Sequence, residues 1–473
     1  MDYYKKYIKY KSKYTRLKRK GLSGGTINYN NYNNYNSCLT ADSMELIQSI
    51  DDIMKQYNYS LESILFKFDN KISRLIDIIK QNTSIKSTKC KIESLDTLLG
   101  EVINQIDLEE YNKRRISGQN IALYIQDIYN KIIDQISLSG NALIKDESKS
   151  KKKIHEHINY SFMGIDVVKA LKGMSEDLNK IAICKIDSDI IKLPEVILRN
   201  INYNKLANEV VMHMNVIREV KRYIFPRVHL RNRPEILFII SDAKKKLPAK
   251  TDNVIFKQAS INSAEYDPIN KQLNIFRKEE LSKLLFHELC HRENIETYNV
   301  GYDDNKKKIW SKKWAVNKLG YDILNLDETI VEVFSEFINI VVVTSLCHND
   351  FNKLWKYELF FGLFQTAKIL YIAGFANNKE FVDSDNNKLL HTTTSTVEYH
   401  IFKTICMLNF NKFYNLYTNN KMDELYNMIY DFSSSNVAYN NIIDRLIKSF
   451  DAMDKNKFLY KTGRMSIIER SIF

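Results

Sequence analysis

The sequence predicts an α+β protein in which helix predominates, on three observations. Its 473 residues include only 13 Gly and 5 Pro, too few breakers for a turn-rich all-β chain. Apolar residues recur at spacings of three and four through most of its length. Strand-like apolar runs bounded by turn residues cluster in one stretch, residues 235–277.

Taken in order, residues 1–20 alternate Tyr, Lys and Ile and hold nine Lys and Arg against one Asp, so most of the net charge of +13 sits there. GLSGG and the low-complexity TINYNNYNNYN follow and offer no core-forming face. We divide the chain into a basic, low-complexity tail (1–40), a helical N-terminal region (41–223) and a final region (224–473). Helical periodicity is clear in MELIQSIDDIMKQY, SILFKFDNKISRLIDIIK and LYIQDIYNKIIDQI. KDESKSKKK, Lys145 to Lys153, reads as a charged linker, and helix resumes through Ile201–Tyr223. Strands are expected at Ile236–Ser241, Val254–Lys257 and Leu273–Phe276, and helix again after Lys278.

The charge distribution leaves the body only mildly basic and does not imply nucleic-acid binding by it; a nucleic-acid contact would fall on residues 1–20. The tail is either solvated or an address that docks on an acidic surface, nucleic acid or a capsid component. No apolar core follows the N-terminal charges, so a secretory signal is not expected. The run Ile338–Leu346 is too short to span a bilayer, and Tyr357–Ala376 is broken by Glu358, Gln365 and Lys368; no membrane span is expected. Six scattered cysteines form no C-x-x-C pair, so neither a disulfide framework nor a thiolate metal site is expected, and a reducing compartment is the simpler reading.

The chemistry sits at residues 287–291, His-Glu-Leu-Cys-His. Two His four apart project from one helix face and suit two ligand positions on one tetrahedral zinc. Glu288, beside the first ligand, can take a proton from a zinc-bound water. The blander reading is an amphipathic helix with two surface His. Cys290 is expected as a packed core residue. His155, His157, His213, His229 and His348 lie in no motif and are expected to be ordinary. A third ligand is needed. NLDETIVEVFSEFINI, residues 325–340, carries Glu328, Glu332 and Glu336 at successive fours, a self-repelling face unless a cation neutralises it or water solvates it. Asp303 and Asp304 are rival ligands.

H-E-x-x-H followed by a carboxylate helix resembles the gluzincin, thermolysin-like metallopeptidases, whose second motif is N-E-x-x-x-D. Asp327 stands at its Asn, Glu328 at the ligand Glu, and Glu332 at the Asp that holds the far nitrogen of a ligand His. The resemblance implies a zincin-like domain over 224–473, with Zn2+ on His287, His291 and Glu328 and Glu288 as general base in peptide-bond hydrolysis. Which of Glu328 and Glu332 binds the metal stays open. The longer metzincin pattern is absent, because Asn294 and Thr297 stand where its Gly and third His belong. The resemblance also implies a downstream oxyanion donor, for which Tyr399 and His400 stand out, then His391. A protein or peptide substrate would add to an edge strand, expected at Leu273–Phe276. The Tyr/Lys-rich start with its Gly-Gly resembles the N-termini of mimivirus-type giant-virus proteins. That implies a viral protein of the virion or host cytoplasm, with the tail contacting virion components. A catalytically silent virion structural or tethering protein with a peptidase-like fold is the rival to the enzyme.

Overall fold

The computed structural model describes residues 38–59, 67–83, 91–96, 99–117, 119–138, 163, 165–173, 180–186, 189–194, 203–226, 235–251, 254–257, 262–267, 272–296, 326–383, 390–392 and 394–472. The tail, the 145–153 linker, His155, His157, His229, Asp303 and Asp304 lie outside them. Residues 38–473 form one compact unit.

Helices dominate, as the periodicity predicts. Ala41–Gln56 starts where the Thr40 side chain accepts from the Ser43 amide, and Asn70–Gln81 where Asp69 accepts from Ile72. Ile121–Leu138 and Tyr203–Ile224 also fall where the pattern put them. The strands depart from expectation. The main sheet has six strands: β1 (Lys91–Asp96), β2 (Lys180–Ile186), β3 (Asp189–Pro194), β4 (Glu235–Ser241), β6 (Ala264–Asp267) and β7 (Gln272–Arg277). Their order is β1-β2-β3-β4-β7-β6. Three of them come from the region expected to be helical, so the boundary at 223 cuts through one sheet. The sheet is mixed: β3, β4 and β7 run parallel, and β1–β2, β2–β3 and β6–β7 pair antiparallel. A separate two-stranded ladder joins β5 (Ile255–Phe256) to β8 (His391–Thr392).

The edge-strand expectation is corrected as well. β7 is hydrogen-bonded on both sides, to β4 and β6, so the edge beside the motif helix is β6. The two acidic residues of SAEYD obscure this four-residue strand in the sequence.

Strand alternation then sets the layers. Leu237 and Phe276 turn to one face, into a core with Val102, Ile125, Ile132, Val167 and Leu171 from the preceding helices. The buried Arg277 forks onto Asp166 at 2.8 and 3.2 Å and ties that layer to the sheet. The motif helix, Leu281–Arg292, packs against β6, Tyr203–Ile224 and the carboxylate helix Leu326–Cys347. The carboxylate helix is long and apolar enough to cross a bilayer by length and composition, yet 89% of its most apolar window is buried within the protein. Phe334 and Phe337 lock it to Phe410, Phe413 and Tyr417.

One pairing overturns the cysteine reading: Cys38 is disulfide-bonded to Cys347, with Cα atoms 5.7 Å apart. A separation of 309 residues leaves no local spacing from which the pair can be read.

Candidate metal centre

The motif helix is buried on all sides, and only His291 among its residues is half-buried. It begins at Glu280, which adopts a left-handed backbone (φ 61°). Burial favours the neutral form of the Glu280 carboxyl, but Lys245, Arg464 and Lys283 outweigh it and hold it down at about 2. Its Oε2 lies 2.7 Å from Lys245 Nζ, so the strained start is held by an ion pair within the core.

The i, i+4 spacing brings the His287 and His291 Nε2 atoms 3.1 Å apart. Glu328 enters from the first turn of the carboxylate helix. Its Oε2 lies 3.6 Å from His287 Nε2 and 3.4 Å from His291 Nε2. Ligand atoms of a tetrahedral zinc with bonds of about 2.0–2.1 Å stand about 3.3 Å from one another, so this triangle has the size of one face of such a site. Glu328 Oε2 is buried and faces both imidazoles.

The outer nitrogens argue the same way. His287 Nδ1 lies 2.8 Å from Glu332 Oε1, in an oblique approach, and His291 Nδ1 lies 3.2 Å from Glu296 Oε1. Both carboxylates favour a proton on Nδ1, which leaves both Nε2 lone pairs facing each other. Two lone pairs and a carboxylate oxygen at this distance repel one another unless a shared proton or a metal cation lies between them. Burial lowers the His291 imidazole, but Glu328 and Glu296 outweigh it and hold it well above the usual range. For Glu328, burial favours the neutral form, yet His291 and His287 win and hold it low. The cluster thus draws positive charge to its centre, and two imidazoles with a carboxylate are a donor set that could hold a divalent transition-metal ion.

Glu288 is buried beside the triangle. Burial pushes its carboxyl up to about 8; His291 opposes the rise, and Glu328 and Glu265 of β6 reinforce it. Tyr399 and His400 lie on a π-helical turn, Val397–Phe402. The Tyr399 ring is 6.3 Å from that of His287, and Glu328, Glu332 and Glu288 all act on its hydroxyl. His400 is buried with Nε2 unpartnered, and after burial the strongest influence on it is Lys403. Tyr399 is therefore the neighbour of the centre. His391 pairs with Ile255 in the small ladder.

The carboxylate face is not solvated. Glu332 is gripped by the buried Lys283, with Nζ–Oε1 at 2.5 Å. Glu336, a turn further, accepts from Ser466 Oγ at 2.8 Å and lies 3.5 Å from Lys403 Nζ. Cys290 is wholly buried, as expected, and so is His213, whose ring packs tilted against Phe286 with centroids 4.1 Å apart. Sequence reasoning missed Lys283 and Glu296. The signals were present: Lys283 lies one turn before His287 on the same helix face, and Glu296 follows an Asn placed to end the helix.

The chain is similar to the uncharacterized protein R210 of Acanthamoeba polyphaga mimivirus, 22% identical over 382 residues, or 70% of this chain and 93% of that protein. This viral relative agrees with the viral origin expected from the tail. No protein-family model and no solved structure matches the chain.

Proposed function

We propose that this chain is a zinc-dependent peptidase, with the metal on His287, His291 and Glu328. The observation that carries the reading is the face-sized triangle of ligand atoms, 3.1 to 3.6 Å on its edges, with the buried Glu288 beside it. Zinc bound there would supply the charge that acidifies a water and polarises a carbonyl. Glu288 then accepts the proton of the attacking water and passes it to the departing amine. Its burial keeps that carboxyl close in basicity to the groups it exchanges protons with. Tyr399 is the donor that steadies the carbonyl oxygen as it gains charge. β6 is the terminal strand of the sheet among the described residues and is where an extended peptide would add. The spacing of Glu328 and Glu332, and the approach of Glu332 to the far nitrogen of His287, support the gluzincin resemblance. The basic tail is the part suited to docking on virion components with acidic surfaces.

The test is metal content and turnover on the full chain. Purified protein is expected to carry one equivalent of zinc, lost in His287→Ala, and to cleave members of a mixed peptide library read by mass spectrometry. Glu288→Gln should keep zinc and melting temperature while losing turnover by several orders of magnitude, because the amide preserves size but not basicity. Folded protein that takes up no zinc would overturn the reading. Zinc-loaded wild type without turnover would favour the silent, tethering alternative.

A further inference from the structure

The two ligand histidines are held by carboxylates in different electrostatic states. Glu332 is clasped by Lys283, so its charge is balanced inside the same buried cluster. Glu296 reaches His291 Nδ1 with Oε1 at 3.2 Å, while its Oε2 is buried without a hydrogen-bond partner. No Lys or Arg forms an ion pair with Glu296 among the described residues.

The turn that delivers Glu296 is built for that contact. The Glu293 and Ile295 amides donate back to the Leu289 and Cys290 carbonyls at 3.0 Å, and Asn294, at φ 53°, donates to His291 at 2.9 Å. This left-handed ending reverses the chain, so residue 296 returns to the side of residue 291. The Tyr417 hydroxyl, fixed in the aromatic cluster, donates to the Ile295 carbonyl and pins the turn one residue before Glu296.

We infer that Glu296 is a positioning residue of the metal centre: it holds His291 in the tautomer that presents Nε2, and its charge, which no Lys or Arg pairs among the described residues, strengthens that imidazole as a ligand. The inference rests on the metal reading above and extends it to a residue outside the two motifs. Carboxylates that orient a ligand His contribute roughly 10- to 100-fold to metal affinity. Here the contribution has two separable parts, an acceptor and a charge.

Zinc affinity is measured for wild type, Glu296→Gln and Glu296→Ala by competition with a chromophoric chelator, alongside visible spectra of the cobalt(II)-substituted proteins. Glu296→Ala should lose roughly 10- to 100-fold in affinity. Glu296→Gln should recover part of that loss, because its amide oxygen still accepts from Nδ1, while remaining weaker than wild type. The cobalt bands should shift in both variants as the donor strength of His291 falls. A glutamate that only supports the fold would lower the melting temperature of metal-free protein and leave the affinity and spectrum of folded molecules unchanged. Tight wild-type binding with unchanged affinity and spectrum in both variants overturns this inference alone. If Glu296→Ala does not fold, Glu296→Gln decides, and wild-type affinity there overturns it. A wild type that binds no zinc overturns the metal reading and this inference together.

Discussion

On the proposed metal reading, three glutamates one turn apart on a single helix have three different duties, and single substitutions should separate them. Glu328→Ala removes a ligand and should cost most in zinc affinity. Glu332→Ala should cost less, roughly 10- to 100-fold, since Glu332 orients His287. Glu336→Ala should leave the zinc affinity of folded molecules unchanged, yet lower stability by roughly 2–4 kcal/mol, because Lys403 and Ser466 lose a buried partner. Chelator competition and thermal melts on the three variants check the order. His213 supplies a pH test away from the metal. Burial holds its imidazole down at about 4, against the pull of Glu209, so it folds neutral. Its stabilising contribution is complete above the unfolded value near 6.5 and is lost as pH falls toward 4. Lowering pH from 7 to 5 should therefore cost up to about 2 kcal/mol through this group. His213→Gln, which removes the titrating ring, should flatten the melting temperature over that range; an unchanged slope would place the acid sensitivity elsewhere.

Among the elements, the C-terminal segment is the least regular and the most enclosed. Thr462 to Arg470 are all buried outside any helix or main-sheet strand, so their backbone groups need partners from elsewhere. Buried charged side chains provide them. Glu280 accepts from the Met465 and Ser466 amides, Glu358 from those of Ile467 and Ile468, and Lys368 donates to the Leu459 and Thr462 carbonyls. The segment also backs the candidate metal centre: Met465 Sδ lies 3.6 Å from Lys283 Nζ, and Met465 packs with Tyr399. Ending the chain after Lys461 would strand several charges in the core, at a cost of several kcal/mol each. Such a truncation should show no cooperative thermal transition and no zinc uptake. A sharp melt near that of wild type would show the segment to be dispensable.

At the scale of the whole molecule, the Cys38–Cys347 bridge closes the body where the tail departs. Leu39 and Arg470 pair antiparallel beside it, and the Ser471 amide donates to the Cys38 carbonyl. The bridge therefore joins the far end of the carboxylate helix to both termini of the described body. A link across 309 residues restricts the unfolded chain and should contribute roughly 2–5 kcal/mol. Reductant, or Cys38→Ser, should lower the melting temperature by several degrees while zinc stays bound, since the bridge lies at the opposite end of the helix from Glu328. Equal melting with and without reductant would show that the thiols are unbridged in solution.

Local spacing was enough for everything that repeats with a helical period. His287, Glu288 and His291 share a helix, and Glu328 and Glu332 share the next, because side chains three or four apart must fall on one face. The mostly helical class follows from the same periodicity and the scarcity of breakers. What spacing does not carry is partnership between distant segments. β1, β2 and β3 lie in stretches whose pairing is set by the register of neighbours, so the sequence reads them as part of a helical region, and β6 takes the edge from β7 for the same reason. Charge is written in the sequence but burial is not. Lys283, Lys403 and Glu336 carry no sequence signal of burial, and helices on several sides enclose them. The choice of Tyr399 over His400, the arrival of Glu296 at His291 and the pairing of Cys38 with Cys347 all depend on where the chain returns in space, and packing of the whole core sets that.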